Sequence, residues 1–190
     1  MKNYIIYLIS MLSLAVVHSQ KIEHIYPFVG LHVSSSATVN NTDALPDKGL
    51  FYGIGLRLGF KNRMGLNVEP HVNQFEFNVQ NETVNAFNIT VPLNLSYKFT
   101  NYNFDNLESI LKFNELMVGA YASQFLSIKT PNEDFINTFK KYDYGFTAGL
   151  TLRFLVFHFG VKYYHSLSKN ATKNLTYQSN YAAVSVMFPF

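Results

Sequence analysis

Six charged residues stand at alternating positions among apolar neighbours, and they are the first candidates for chemistry in this sequence. An acid and a base brought together inside a protein form an ion pair, whereas unpaired charges line a conduit or hold a small polar ligand. We predict a polar network, and the alternative interpretation is a gated conduit or ligand site. The six residues are Arg57, Glu69, Lys98, Glu115, Arg153 and Lys162.

Histidine and serine residues offer a second kind of chemistry, but their spacing indicates no catalytic or metal site. His32, His71 and His158 lack a short ligand spacing, so we expect them to be hydrogen-bonded. His165 and Ser166, with Asp143, are the residue types of a hydrolase and would suit a lipid-modifying enzyme. Nothing in their spacing differs from chance. We therefore expect no catalytic residue, no metal and no cofactor.

The composition excludes several classes of protein. The 190 residues include 15 basic and 12 acidic ones, and a net charge of +3 is too small and too dispersed to indicate nucleic-acid binding. There is no cysteine, which excludes disulfides, zinc–thiolate sites, cysteine nucleophiles and a lipid-modified cysteine. The mean hydropathy of +0.02 is too low for a bundle of membrane helices, but it is normal where every second residue faces lipid.

Alternation of apolar and polar residues predicts long β-strands that position these groups. Along 87–99, every second residue is apolar, and Asn, Thr, Pro, Ser and Lys stand between them. The alternation slips near Phe75 and Phe77, which predicts a β-bulge or a strand that continues beyond a bilayer. Eight strands are predicted, over 26–39, 50–60, 64–79, 87–99, 114–128, 142–154, 157–165 and within 177–190.

The two faces of these strands differ so strongly that they indicate a barrel in a membrane. One face is apolar, and the other carries Gly, Ser, Thr, Asn and the charges, which suits a narrow polar interior surrounded by lipid. Eight strands enclose just enough room for their own side chains. We predict an all-β fold, an eight-stranded antiparallel up-and-down transmembrane β-barrel. The alternative is a soluble barrel with an apolar interior, which needs a polar exterior.

Residues 1–19 are predicted to be a signal peptide and residues 20–190 the barrel domain. Lys2 precedes an apolar-rich run over 4–17, which is shorter than the ~20 residues that a spanning helix needs. Ser19 is small and suits the cleavage site. A chain exported without a lipid anchor is soluble outside the inner membrane or is a barrel in the outer one.

Connection lengths predict the orientation of the barrel. The turns at 61–63 and 155–156 are short, as periplasmic turns are, and most of the connections expected outside the cell are long. Both termini are therefore expected in the periplasm. The periplasmic connection 100–113 departs from this pattern, and Asp105 with Glu108 predicts one or two helical turns there.

The last predicted strand carries aromatic residues at its end. Phe188 and Phe190 lie on its apolar face, where an aromatic girdle at a membrane interface would place them. By resemblance to outer-membrane barrels, these two residues are expected to be the insertion signal that barrel-assembly machinery recognises.

Three stretches resemble the PorT-like outer-membrane β-barrel family of Bacteroidota. They are ITVPLNLSYKF at 89–99, YGFTAGLTLRF at 144–154 and the aromatic final strand. The resemblance covers essentially the whole mature chain and lies in the strand pattern, not in a catalytic motif. It implies the outer membrane of a Gram-negative bacterium and a protein without catalytic residues. The long connection 100–113 departs from the family's usual tight turn and leaves room for a partner.

These patterns predict an integral outer-membrane protein with a structural or protein-interaction role and no enzymatic activity. We expect an accessory subunit of an outer-membrane complex of the secretion or barrel-assembly type. The expected partners are outer-membrane lipid, the barrel-assembly machinery during insertion, and other outer-membrane or periplasmic proteins bound at 38–49, 129–141 or 100–113. The alternatives are a small passive pore for ions or small solutes and a membrane-embedded lipid-modifying enzyme.

Overall fold

The part of the chain that the structure describes is built of β-strands. The structure is a computed structural model, and it describes residues 21–34, 37–39, 42–43, 48–60, 63–79, 82–99, 111–129, 141–154, 157–168, 170–171, 176–177 and 180–188. The predicted signal peptide lies outside these residues. Within them, no helix has the length and apolar character needed to cross a membrane. The strands are β1 (Lys21–Ser34), β2 (Ala37–Val39), β3 (Thr42–Asp43), β4 (Lys48–Gly59), β5 (Met64–Val68), β6 (His71–Val79), β7 (Glu82–Lys98), β8 (Leu111–Lys129), β9 (Tyr142–Phe154), β10 (Phe157–Ser166), β11 (Asn170–Ala171), β12 (Thr176–Tyr177) and β13 (Asn180–Met187).

The long strands form one closed antiparallel barrel. Each pairs with the barrel strands before and after it in the chain, and β1 pairs with both β4 and β13, which closes the ring. β5 and β6 count as one barrel strand, interrupted at Glu69 and Pro70. The result is an eight-stranded up-and-down β-barrel, as the sequence predicts. The short strands β2, β3, β11 and β12 form a separate small sheet.

The outside of the barrel is apolar, and the inside holds the buried polar residues together with a group of aromatic ones. Along β13, Tyr181, Ala183, Ser185 and Met187 are buried, whereas Val184 between them is 53% exposed. A soluble barrel with an apolar interior would show the opposite distribution. An outer wall of large apolar side chains fits the acyl chains of a bilayer and is the face of a transmembrane barrel. The outward apolar residues with at least half of their surface exposed are Ile22, Ile25, Leu31, Tyr52, Ile54, Leu93, Leu95, Val118, Leu126, Tyr142, Tyr144, Phe146 and Val184.

A proline interrupts the third barrel strand without changing its register. The same residue spacing relates β4 to β5 and β4 to β6, on either side of Glu69 and Pro70. Pro70 has no N–H to donate, but its carbonyl accepts a hydrogen bond from the Ile54 N–H at 3.1 Å. The Glu69 N–H donates to the Pro92 carbonyl at 3.3 Å. The ladder is therefore broken only locally, and Glu69 keeps its inward direction.

The bulge predicted near Phe75 is wrong. β6 pairs with β4 and with β7 without a register shift. Phe75 is 1% exposed and lies inside the barrel, so an inward aromatic residue, and not a bulge, interrupts the apolar pattern. In the described strands, register shifts occur instead between Ile22 and His24 of β1 and at two points along β8.

Several strand ends differ from the predicted ones. β1 covers 21–34, where the alternation predicted 26–39. β8 already begins at Leu111, so the end of the segment predicted to be helical is strand, and the rest of 100–113 lies outside the described residues. The connection between the last two predicted strands, after residue 165, contains β11 and β12. Pairing with a neighbouring strand sets these boundaries, and alternation along one strand does not encode it.

Candidate functional site

A first set of ion pairs crosses the lumen near the end of the barrel where β1 begins. Arg57 on β4 contacts Glu115 on β8 and Glu23 on β1, and Lys98 on β7 also contacts Glu23. The Arg57 Nε donates to Glu115 Oε1 at 2.7 Å, and the Arg57 side chain is only 4% exposed. We call these four residues the lower cluster. Its two cations face two carboxylates, so its formal charge is zero.

Glu23 reaches the lumen because of a β-bulge in β1. Ile22 and His24 have partners on β4 and flank the register shift, so Glu23 is the extra residue. Strict alternation from the buried Tyr26 would turn Glu23 outward. The sequence prediction missed Glu23 because the predicted strand started later and no turn residue marks the bulge.

A second set of contacts lies nearer the middle of the barrel and is called the central cluster. Lys162 Nζ bonds to Glu69 Oε2, and the Tyr26 hydroxyl donates to Glu69 Oε1 at 2.7 Å. The Glu69 and Lys162 side chains are 1% and 6% exposed. Lys162 lies on β10, directly across the ring from the strand that carries Glu69. The pair therefore joins opposite walls of the barrel.

Glycines make room for these crossing side chains. An added Cβ at Gly65 on β5 would lie 2.7 Å from the Arg57 guanidinium carbon. An added Cβ at Gly55 would collide with the Tyr26 ring. A strand glycine allows another group to approach the backbone closely, which these two positions require. Gly65 thus makes room for the lower cluster, and Gly55 makes room for the central one.

The two clusters contain most of the six charges that the sequence singles out. Four of them are joined as two pairs of opposite charge, one in each cluster. Lys98 is 28% exposed, and its partner Glu23 is not one of the predicted residues. Arg153 is exposed, one residue before the end of β9.

Aromatic side chains fill the lumen between the central cluster and the end of the barrel where β1 ends. The Tyr164 and Tyr181 rings stack with centroids 4.4 Å apart and planes 11° apart. Tyr121 meets Tyr164 edge-on at 5.4 Å. Both arrangements are favourable for aromatic pairs. This aromatic plug comprises Phe28, Phe51, Phe75, Tyr121, Phe125, Tyr164 and Tyr181.

The three predicted lumen histidines lie at different levels of the barrel. His32 and His71 pack against Phe51 of the plug, with ring centroids 6.2 and 5.4 Å away. His71 Nδ1 also donates to the Glu69 carbonyl at 2.7 Å. His158 is partly exposed near the lower cluster. In the described part of the chain, no three His, Asp or Glu side chains are grouped closely enough to hold a metal ion.

Hydroxyl groups surround Asp143 at the end of the lumen opposite the lower cluster. Ser166 Oγ donates to Asp143 Oδ1 at 2.6 Å, Ser168 Oγ also bonds to Oδ1, and the Tyr121 hydroxyl donates to Oδ2 at 3.1 Å. His165 precedes Ser166 on β10, so its side chain points to the other face of the strand, where it is exposed. Ser166 thus bonds to a carboxylate, and the three residues do not have the Ser–His–Asp arrangement that a hydrolase requires.

A cavity of about 20 Å³ lies between the lower and central clusters. It is lined by groups from both, among them Arg57, Glu115 and Tyr26, and by His24 and His158. A cavity of this size has room for one or two waters and not for a larger ligand.

Phe188 holds the end of the closing strand to both neighbouring strands. Its N–H donates to the Pro27 carbonyl on β1 at 3.0 Å, and its ring meets the Phe157 ring on β10 edge-on at 5.5 Å. Phe188 is 39% exposed on the outer wall. Phe190 lies outside the described residues.

Solved structures of other small barrels are similar to this chain. The attachment invasion locus protein Ail of Yersinia pestis, solved with the heparin analogue sucrose octasulfate, is 12% identical with a TM-score of 0.44, over 89% of this chain and 100% of that one. Neisserial surface protein A is 13% identical with a TM-score of 0.47, over 87% and 97%. The N-terminal β-barrel domain of Pseudomonas aeruginosa OprF is 10% identical with a TM-score of 0.41, over 90% and 100%. No protein-family profile matches the chain, and no curated protein is significantly similar in sequence.

Proposed function

We propose that this chain is an integral outer-membrane protein with a structural or protein-interaction role and without enzymatic activity. The observation that carries the proposal is a lumen closed by its own side chains inside a wall with an apolar exterior. The lumen charges of the two clusters are paired, and the aromatic plug occupies the space beyond them.

The closed lumen favours a role for the outer surfaces. Sites for small molecules are usually clefts of roughly 300–1,000 Å³. The cavity between the clusters is about 20 Å³, which is far below that range. Partners are therefore expected at the connections between strands, at 38–49, 129–141 and 100–113, and not inside the barrel.

The finer proposal is an accessory subunit of an outer-membrane complex, of the secretion or barrel-assembly type, in a Gram-negative bacterium. The resemblance of 89–99 and 144–154 to PorT-like barrels supports it. The short turns at 61–63 and 155–156 support an orientation with both termini in the periplasm. The barrel-assembly machinery is the expected partner during insertion, and lipid surrounds the finished wall.

Electrophoresis tests the membrane-barrel part of this proposal. Samples in dodecyl sulfate are compared with and without boiling. A closed barrel with cross-lumen ion pairs stays folded without boiling, so the two samples are expected to migrate differently. Identical migration of fully extracted protein would contradict a stable barrel.

Affinity purification from native membranes tests the interaction role. The tagged chain is compared with a variant in which residues 130–140 are replaced by a Gly–Ser linker of the same length. We expect a defined set of outer-membrane or periplasmic proteins with the natural chain and loss of at least one of them with the variant. Recovery of no specific partner by a correctly inserted natural chain would count against the proposal.

A further inference from the structure

We propose that the lumen between the lower and central clusters is a water-binding chamber, reached from the end of the barrel where β1 begins. The chamber depends on the barrel and on its side chains. The inference therefore does not depend on whether the protein is a subunit of a complex.

Buried polar atoms without a protein partner mark this chamber. Asn67 and Asn94 are 1% and 0% exposed, and within the described residues neither the nitrogen nor the oxygen of either amide has a hydrogen-bond partner. The same holds for Ser96 Oγ and Arg57 Nη2. Buried polar groups in folded proteins are almost always hydrogen-bonded, to protein or to ordered water. We infer that water supplies the partners that the described residues do not give to these atoms.

The four residues form one patch on the lumen wall. Arg57, Asn67 and Asn94 are cross-strand neighbours on β4, β5 and β7. Ser96 follows on β7, directly opposite Gly65, and the Arg57 guanidinium lies over Gly65. The cavity between the two clusters borders the same guanidinium. Asn67, Asn94 and Ser96 do not line the cavity themselves, and the Arg57 guanidinium is the group that connects them to it.

Charge, hydrogen-bonding capacity and size together select water as the ligand. The charges of Arg57 and Lys98 are matched by those of Glu23 and Glu115, so no net charge remains to attract an ion. The unpartnered atoms include donors and acceptors, and water satisfies both. The cavity admits only molecules of that size.

The chamber opens toward one end of the barrel only. His24, Lys98 and His158 line the cavity on that side and are partly exposed. On the other side lie the central cluster, the aromatic plug and polar groups, some of which bond to one another, such as Thr90 and Ser123 at 2.9 Å, while His32, His71 and Asn73 each keep an atom that is unpartnered within the described residues. We infer that water enters past the lower cluster and that the aromatic plug limits its passage beyond the central one.

The absence of cysteine allows a direct test with single thiols. Ser96→Cys puts a thiol in the chamber, and Ser123→Cys is the matched control, because the two serines are 2% and 5% exposed but Ser123 has a hydroxyl partner. Purified, unboiled protein in detergent is treated with Ag⁺, a thiol reagent small enough for a water-filled space. Free thiol is then counted by alkylation after denaturation and mass spectrometry. We expect Ser96→Cys to react at least about tenfold faster than Ser123→Cys.

Two results would overturn the proposal. Equally slow reaction of both thiols in barrels that still show the heat-dependent shift means a dry chamber. Equally fast reaction means that water fills the whole lumen. If Ser96→Cys fails to fold, the natural protein is examined by NMR for magnetisation transfer from water to side-chain amides. Transfer to Asn67 and Asn94, but not to Asn73, whose amide donates to Asn88 and Thr90, supports the chamber, and its absence at all three overturns it.

Discussion

At the scale of single residues, Glu69 shows how the lumen holds a charge. The Glu69 side chain is 1% exposed. Lys162 supplies an opposite charge and Tyr26 a hydrogen bond, and these two contacts stabilise the carboxylate where water does not reach it. The side chains of Lys98 and Glu23 are each 28% exposed, so water also solvates the charges of that pair. The two lysines therefore differ in what their removal leaves behind.

Lys162→Met should destabilise the barrel much more than Lys98→Met. Removing one partner of a buried ion pair leaves an uncompensated charge and costs about 3–5 kcal/mol. A partly exposed pair contributes on the order of 0–1 kcal/mol. The protein is incubated in lipid vesicles at increasing denaturant concentrations. The measurement is the fraction that still migrates as the folded form on a gel without boiling. Equal losses of stability in the two variants would contradict the claim that the buried Lys162–Glu69 pair contributes more than the partly exposed Lys98–Glu23 pair.

The inward direction of most lumen charges could be predicted from the sequence, but Glu23 was missed, Arg153 is exposed, and the partners could not be predicted. Alternation placed Arg57 and Glu115 in the lumen, since a strand turns every second residue to the same side. Their contact also depends on strand order around the ring and on the lean of each side chain over a glycine. Glu23 was missed because a one-residue bulge reverses the alternation, and the bulge arises from pairing between β1 and β4.

At the scale of elements, the outward face of the barrel strands is apolar and suits contact with lipid. β7 shows the pattern over its length, with Ile89, Val91, Leu93, Leu95 and Tyr97 all more than a third exposed. Alternation of this kind is a property of the sequence itself, so the barrel strands could be predicted. Their ends could not, because pairing decides them. Phe75 misled the prediction because a large inward aromatic residue has the signature of the outward face.

Arginine substitutions along β7 should show a dependence on depth. Leu93→Arg puts a charge well inside the strand, where it should destabilise the barrel by about 2–4 kcal/mol in lipid. Tyr97→Arg, one residue before the end of the same strand, should cost on the order of 0–1 kcal/mol. Denaturant titration in vesicles measures both. Equal costs at the two positions would mean that β7 does not cross the bilayer as described.

Removing Phe188–Phe190 should stop insertion. The truncation removes the hydrogen bond from Phe188 to Pro27 and the ring contact with Phe157, together with the aromatic residues proposed as the insertion signal. Phe157→Leu loses the ring contact but keeps the signal, so it serves as the control. Outer-membrane fractions are compared by immunoblot. We expect near-complete loss for the truncation and near-normal levels for Phe157→Leu, and normal levels of the truncated chain would refute the assignment.

At the scale of the whole molecule, the barrel is a closed wall around a filled interior. Eight strands leave room for their own side chains and little more. Ion pairs connect opposite walls in one half of the lumen, and stacked aromatic rings fill the other half. The strand number and the membrane-facing exterior could be predicted from periodicity. The division of the lumen into two clusters and a plug depends on three-dimensional packing, which no local pattern encodes.

The most direct test of this account is the conductance of the purified protein in a planar lipid bilayer. The sample must first show the heat-dependent shift, so that every molecule counted is a folded barrel. A lumen closed by the central cluster and the aromatic plug predicts insertion without ion conductance steps. Steady, reproducible steps from the natural chain would contradict the closed lumen and favour a passive pore.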